Sequence, residues 1–191
     1  MSIIVVDVES DGPIPGKDHF SMVCLGAVLL DEKLDKTFYG QMRPISDKWD
    51  PEALAISGFT REQHLTFPDP QLTMQQFATW IQVNSIKHPV FIADNPAYDF
   101  AWVNWYFHAF YGSNPFGYSG RRIADLWCGM QKDMHAKWKH LRQTRHSHNP
   151  VDDARGNAEA LLEMQRLGLN FDRKAKAASS TSIAAGIASP G

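Results

Sequence analysis

The sequence predicts an α/β chain with a mixed central β-sheet, an antiparallel meander followed by parallel strands, flanked by α-helices. Three observations carry this prediction. Ile3 to Ser10, Met22 to Leu30 and Thr37 to Met42 are strand-like runs joined by short, turn-rich connections, as in an antiparallel meander. Beyond residue 50, apolar runs at Val90–Ala93 and Ile123–Leu126 alternate with helical patterns, which builds a sheet packed between helices. A chain of 191 residues, 43% hydrophobic and 21% charged, is long enough to bury one sizeable core.

The composition also excludes several classes. A formal charge of −2 is not that of a basic nucleic-acid coat, so a polyanionic partner must be held by a local patch or by metal ions. Cys24 and Cys128 match no zinc spacing or disulfide framework and read as buried thiols in a reducing compartment. The N-terminus enters a strand at once and no apolar run is long enough to span a bilayer. The expectation is therefore a cytoplasmic protein with no membrane partner.

The first strand organises the rest. Ile3-Ile4-Val5-Val6 is a buried run, and Asp7 and Glu9 follow it two residues apart. Strand positions i and i+2 share a face, so two carboxylates project side by side from a core strand. Left alone they repel each other and resist leaving water. A hard divalent cation such as Mg²⁺ would resolve the conflict. So would a strand end that simply surfaces and solvates both acids.

Turn residues Asp11-Gly12-Pro13 and Pro15-Gly16 follow, and Gly26 lies inside the second strand pattern. Asp50-Pro51 opens a short helix through Ile56, and Thr60 with Gln63 spells a capping box for a further helical turn. Asp69-Pro70 starts an amphipathic helix to about Val83, with Leu72, Phe77, Trp80 and Ile81 on its apolar face. After Val90–Ala93 an aromatic helix runs to about Tyr111. Ile123–Leu126 reads as a short strand, and the next helix falls around residues 127–138. Residues 132–148 are basic and histidine-rich, and Lys137, Lys139, Arg142 and Arg145 there could steer phosphates or line a solvated loop. The last helix spans Pro150–Leu167 with Gly168 as its stop, and an Ala/Ser/Gly-rich stretch follows.

Two helix starts share one spelling, Asn95-Pro96-Ala97-Tyr98-Asp99 and Asn149-Pro150-Val151-Asp152-Asp153. Each reads as an Asn N-cap, a Pro in the first turn and an Asp near the positive end of the helix dipole. Asp152 falls at the capping position, which leaves Asp153 for chemistry. His148 stands five residues before Asp153. An imidazole there suits a general base near neutral pH, although His135, His140 and His146 crowd the same segment as surface residues would.

Asp7-Val8-Glu9, the Asn95–Asp99 stretch and His148-x4-Asp153, in that order, resemble the DEDDh family of 3′–5′ exonucleases, which has the ribonuclease H-like fold. Ala55-Ile56-Ser57-Gly58-Phe59-Thr60 looks like the family's short loop that contacts the terminal nucleotide. The likeness covers roughly residues 1–170, as an exonuclease domain, and leaves 171–191 as a flexible low-complexity tail. The chain departs from the family in having Ser10 where Thr is frequent, Asp94 where His is frequent and Tyr98 where Phe is common. Asn149 stands where the tyrosine branch of the family would place Tyr.

The resemblance implies a hydrolase that holds two Mg²⁺ or Mn²⁺ ions on Asp7, Glu9, Asp99 and Asp153, with His148 taking the proton of the attacking water. It implies a single-stranded nucleic-acid 3′ end as partner, RNA or DNA, and nucleoside 5′-monophosphates as products. Ser10, Phe59, Asn95 and Tyr98 are the expected substrate contacts, and Phe100 is a further stacking candidate. Trp102, Trp105 and Tyr106 lie at core spacings. A second copy of the chain, forming a homodimer, is a further candidate partner. The alternatives are a module that binds nucleic-acid ends without cutting them, and another metal-dependent phosphodiesterase on the same fold.

Overall fold

In the computed structural model, which describes residues 2–86 and 88–171, the five strands are β1 (Ile3–Ser10), β2 (Met22–Leu29), β3 (Thr37–Gln41), β4 (Val90–Ala93) and β5 (Gly120–Arg122). They lie in the order β3-β2-β1-β4-β5. β1 and β2, and β2 and β3, run antiparallel, whereas β1, β4 and β5 run parallel. The mixed sheet expected from the sequence is therefore present.

Helices cover both faces, as the alternation in β1 requires. Ile4, Val6 and Val8 point to one side, where α3 (Pro70–Asn84) and α4 (Asp99–Phe110) supply Met74, Phe77, Ile81, Trp102 and Tyr106. Ile3 and Val5 point to the other, where α5 (Ile123–Gln131) and α6 (Pro150–Arg166) supply Ile123, Trp127, Ala154, Leu161 and Met164. The short helices α1 (Pro51–Ile56) and α2 (Arg61–Leu65) carry the expected Asp50 cap and the Thr60–Gln63 capping box. Among the described residues no helix is long and apolar enough to cross a membrane.

Several expectations need correction. In α3 the buried stripe is Met74, Phe77, Ala78 and Ile81; Leu72 falls off that stripe and is exposed. Ile123–Leu126 is not a strand. Ile123 and Trp127, one helical turn apart, both bury on α5, and the strand is the preceding Gly120–Arg122. That helix ends at Gln131, where Lys132 turns left-handed with φ 55°, and not near residue 138. Cys24 is a buried free thiol, but Cys128 is only half-buried. Gly168 adopts φ 107° just past α6, the expected stop. Phe171 packs beside the α5–α6 core; the remainder of the expected tail, 172–191, lies outside the described residues.

Candidate active site

Asp7 and Glu9 continue the Ile3–Val5 face of β1, so both carboxylates point toward α6. The start of α6 sits directly over β2 at Gly26, which pairs with Asp7. A Cβ on Gly26 would lie only 2.2–2.4 Å from the backbone of Pro150 and Val151. The glycine noted in the strand pattern is therefore what lets the helix start approach the sheet. A register shift follows between Glu9 and Ser10, where β1 ends its regular pairing.

Asn149 caps α6 as expected, its side chain accepting from the Val151 and Asp152 amides at 3.0 and 3.4 Å. Asp152 contributes its backbone N–H to that cap. Asp153, one residue on, is buried. Its Oδ1 accepts from Arg142 Nη2 at 2.9 Å and from the Ser147 amide at 3.2 Å, and lies 2.8 Å from His146 Nδ1. Its Oδ2 accepts from the His148 amide at 2.9 Å. Asp7, Glu9 and Asp153 each bring an oxygen within 4.8 Å of the others.

Asp99 enters from the opposite side. The first Asn-Pro start does not cap its helix. The Tyr98 and Asp99 amides turn back to the Asn95 carbonyl at 2.8 and 3.0 Å, and α4 begins at Asp99 with no side-chain cap. Asp99 instead accepts the Val8 amide at 3.2 Å, which ties the buried carboxylate to β1 between Asp7 and Glu9. All four expected acids thus lie at the carboxyl end of β1, beside two helix N-termini, where open α/β sheets bind ligands.

The electrostatics record the crowding. Burial first, then the charges of Asp99, Glu9 and Asp153, push the Asp7 carboxyl well above the usual range, against a downward pull from Arg142. Burial and Asp153 raise Glu9 to about 7, with His146 pulling it down. Burial likewise raises Asp99, despite backbone hydrogen bonds from Asn95 and Val8. A cluster of oxygen donors whose charged forms are this unfavourable fits hard divalent ions, which would neutralise it. His148 sits at the rim with Nδ1 3.6 Å from Glu9 Oε1. Its backbone is left-handed, φ 58°, a conformation uncommon outside glycine but one that histidine adopts more readily than most side chains.

The remaining expected contacts are placed as follows. Ser10 is buried, and its hydroxyl donates to the Gly12 carbonyl at 2.6 Å and meets the Tyr98 hydroxyl at 2.5 Å. Phe59 packs edge-to-face on Phe67 and lines a cavity of about 300 Å³ with Trp49, Leu54 and Arg61. Trp102 and Tyr106 are core residues, as their spacing suggested, while Phe100 and Trp105 are half-buried.

Sequence reasoning missed four supports. Arg142, grouped with the phosphate-steering cations, is instead buried against Asp153. Trp138 in the same segment is core. Glu159, one and a half turns after Asp153 on α6, accepts from the Gln143 and Thr144 amides at 2.9 and 2.7 Å and from the Thr144 hydroxyl at 2.8 Å, holding down the loop that carries both histidines. Asp11, read as turn material, is fully buried; it accepts from Arg61 at 3.0 Å and from the Ser21 amide, pinning α2 to the end of β1. None of these had a spacing signal: Glu159 stands six residues after Asp153, about 120° round the helix from it.

Residues 3–165 match the family model described as the 3′-5′ exoribonuclease Rv2179c-like domain. The chain is 34% identical over 177 residues to the 3′-5′ DNA exonuclease Cap18 of Escherichia coli, spanning 86% of this chain and 91% of that protein. Its fold is similar to the nuclease domain of 3′hExo, a DEDDh family member bound to rAMP, with TM-score 0.71, 16% identity and coverage of 87% and 92% of the two chains. It is also similar to E. coli Exonuclease I in complex with a dT13 oligonucleotide, with TM-score 0.64, 13% identity and coverage of 87% and 42%. At these identities the structural likeness speaks for the fold.

Proposed function

The chain belongs to the family of Rv2179c-like 3′-5′ exoribonuclease domains and is a 3′-5′ exonuclease of the DEDDh kind; we propose that it uses two divalent ions to release nucleoside 5′-monophosphates from the 3′ end of a single strand. The observation that carries this reading is the convergence of Asp7, Glu9 and Asp153 within 4.8 Å, with Asp99 locked beside them. Two Mg²⁺ or Mn²⁺ ions held by these four acids would supply charge neutralisation at the phosphoryl oxygens and activation of the attacking water. The rest falls to the chain's own groups. Glu9 faces His148 Nδ1 and leaves Nε2 to take the water's proton as the new P–O bond forms and the P–O3′ bond breaks; the departing 3′ oxygen collects a proton from solvent. The Asp153 hydrogen bonds fix the backbone at His148, so the base is held in place before substrate arrives.

Phe59, on the wall of the Trp49 cavity, is the stacking surface for the terminal base, an interaction contributing about 1–3 kcal/mol whatever the base. Tyr98, its hydroxyl anchored by Ser10, borders the acids with Asn95 and orients the terminal sugar. The match to an exoribonuclease domain and the match to a DNA exonuclease differ in sugar, so the test uses matched RNA and DNA strands. Labelled single strands should lose mononucleotides from the 3′ end only when Mg²⁺ or Mn²⁺ is present, and a blocked 3′ end should protect them. Cutting of a circular strand, or release without divalent ions, would overturn the reading.

A further inference from the structure

Asp153 belongs to two ligand groups, and only one consists of carboxylates. On its other side, His146, His148 and Asp153 each present a ligand atom within 4.8 Å of the others. The two imidazole rings meet edge to face with centroids 4.3 Å apart. Both are accessible, with His146 and His148 side chains 52% and 47% exposed. They are not loosely tethered: the Ser147 and His148 amides both bind the Asp153 carboxylate, so the chain wraps around that acid, and Glu159 secures the loop from below. The left-handed turn at His148 completes the wrap.

We infer that His146, His148 and Asp153 form a second cation site, selective for a borderline ion such as Zn²⁺, that competes with the hard-ion site for Asp153. Imidazole nitrogen suits Zn²⁺, whereas Mg²⁺ and Mn²⁺ prefer the all-oxygen set. Two histidines and one carboxylate make a donor set for zinc that leaves a position open. The opposing charge is Arg142, bound to the same Asp153 oxygen. The site therefore discriminates by ligand softness and not by net charge. Zn²⁺ held there occupies His148, the base of the reaction proposed above, and diverts Asp153, so it switches the nuclease off. This last consequence rests on the proposed function; the binding itself does not.

Calorimetric titration of the metal-free protein with ZnCl₂ tests the binding, and Asp7→Asn and His146→Ala separate the two sites. The wild type should bind Zn²⁺, and His146→Ala should bind it at least about tenfold more weakly. Asp7→Asn should keep Zn²⁺ binding while losing the Mg²⁺-dependent rise in melting temperature. In nuclease assays with Mg²⁺ present, each protein referred to its own zinc-free rate, His146→Ala should need at least about tenfold more Zn²⁺ for half-inhibition. Equal Zn²⁺ affinity in wild type and His146→Ala, no Zn²⁺ binding by the wild type, or loss of Zn²⁺ binding in Asp7→Asn would overturn the site. His148→Ala provides a second ligand deletion on an exposed side chain. If the chain released no nucleotides, the titrations would still decide the matter.

Discussion

Asp153 is the residue on which the site converges, because three N–H donors and the His146 ring nitrogen, all from one loop, meet its carboxylate. Arg142 meets it with its own charge already buried. Replacing Arg142 by Met should destabilise the protein by about 1.5–3 kcal/mol, the usual worth of a hydrogen bond to a charged group, and denaturant melts would read this. It should also lower turnover by about ten- to a hundredfold through misplacement of Asp153, with a larger Mg²⁺ requirement. His148→Ala should reduce turnover by roughly 10²–10⁴-fold while leaving the Mg²⁺-dependent thermal shift in place, and loss of that shift would make His148 a ligand and not a base. Asp7 and Glu9 were legible as a pair because a strand alternates its faces, and Asp153 because its helix start follows the capping grammar; Asp99 joined them in the sequence only through the family resemblance. Arg142 was not legible. A cation in a basic loop has no periodicity to reveal that it folds inward, and Gly156, whose missing side chain makes room for its guanidinium, lies fourteen residues further on.

At the level of elements, α6 both carries Asp153 and holds the loop before it. Glu159→Ala removes three hydrogen bonds to residues 143 and 144. The expected result is faster hydrogen exchange at those two amides, with the sheet amides unchanged, and a fall in turnover. Uniform protection in the variant would show that the loop is held by other contacts. The second Asn-Pro start behaves as its spelling predicts, whereas the first makes a turn and delays its helix to Asp99. Both spellings satisfy the local rules. What separates them is the Val8 amide, which takes the Asp99 carboxylate across the sheet, a tertiary contact that no reading of five residues contains. The Ile123–Leu126 misreading has a similar origin: four residues are too few to separate a period of 2 from one of 3.6, and the burial of Trp127 decides it.

Across the whole molecule, the acid cluster opposes folding when no ion is bound. Glu9 is raised from 4.5 to about 7, and Asp7 and Asp99 move in the same direction. An acid with a raised folded-state pKa binds protons more tightly in the folded chain, so stability present at low pH is lost as pH climbs from about 4.5 toward 7. Chelator-treated protein should therefore melt at a lower temperature at pH 8 than at pH 5.5 on account of these groups. Added Mg²⁺ should raise the melting temperature more at pH 8, and the reverse order would contradict the crowding. The mixed sheet flanked by helices was legible from alternation and spacing, but the closeness of α6 to β2 depends on one atom that residue 26 lacks. Gly26→Ala would drive a methyl wedge between the two halves of the proposed ion cradle, each half intact and correctly built. The expected variant keeps its strands by circular dichroism yet no longer gains stability from Mg²⁺, a folded protein with its ligands standing too far apart to share an ion.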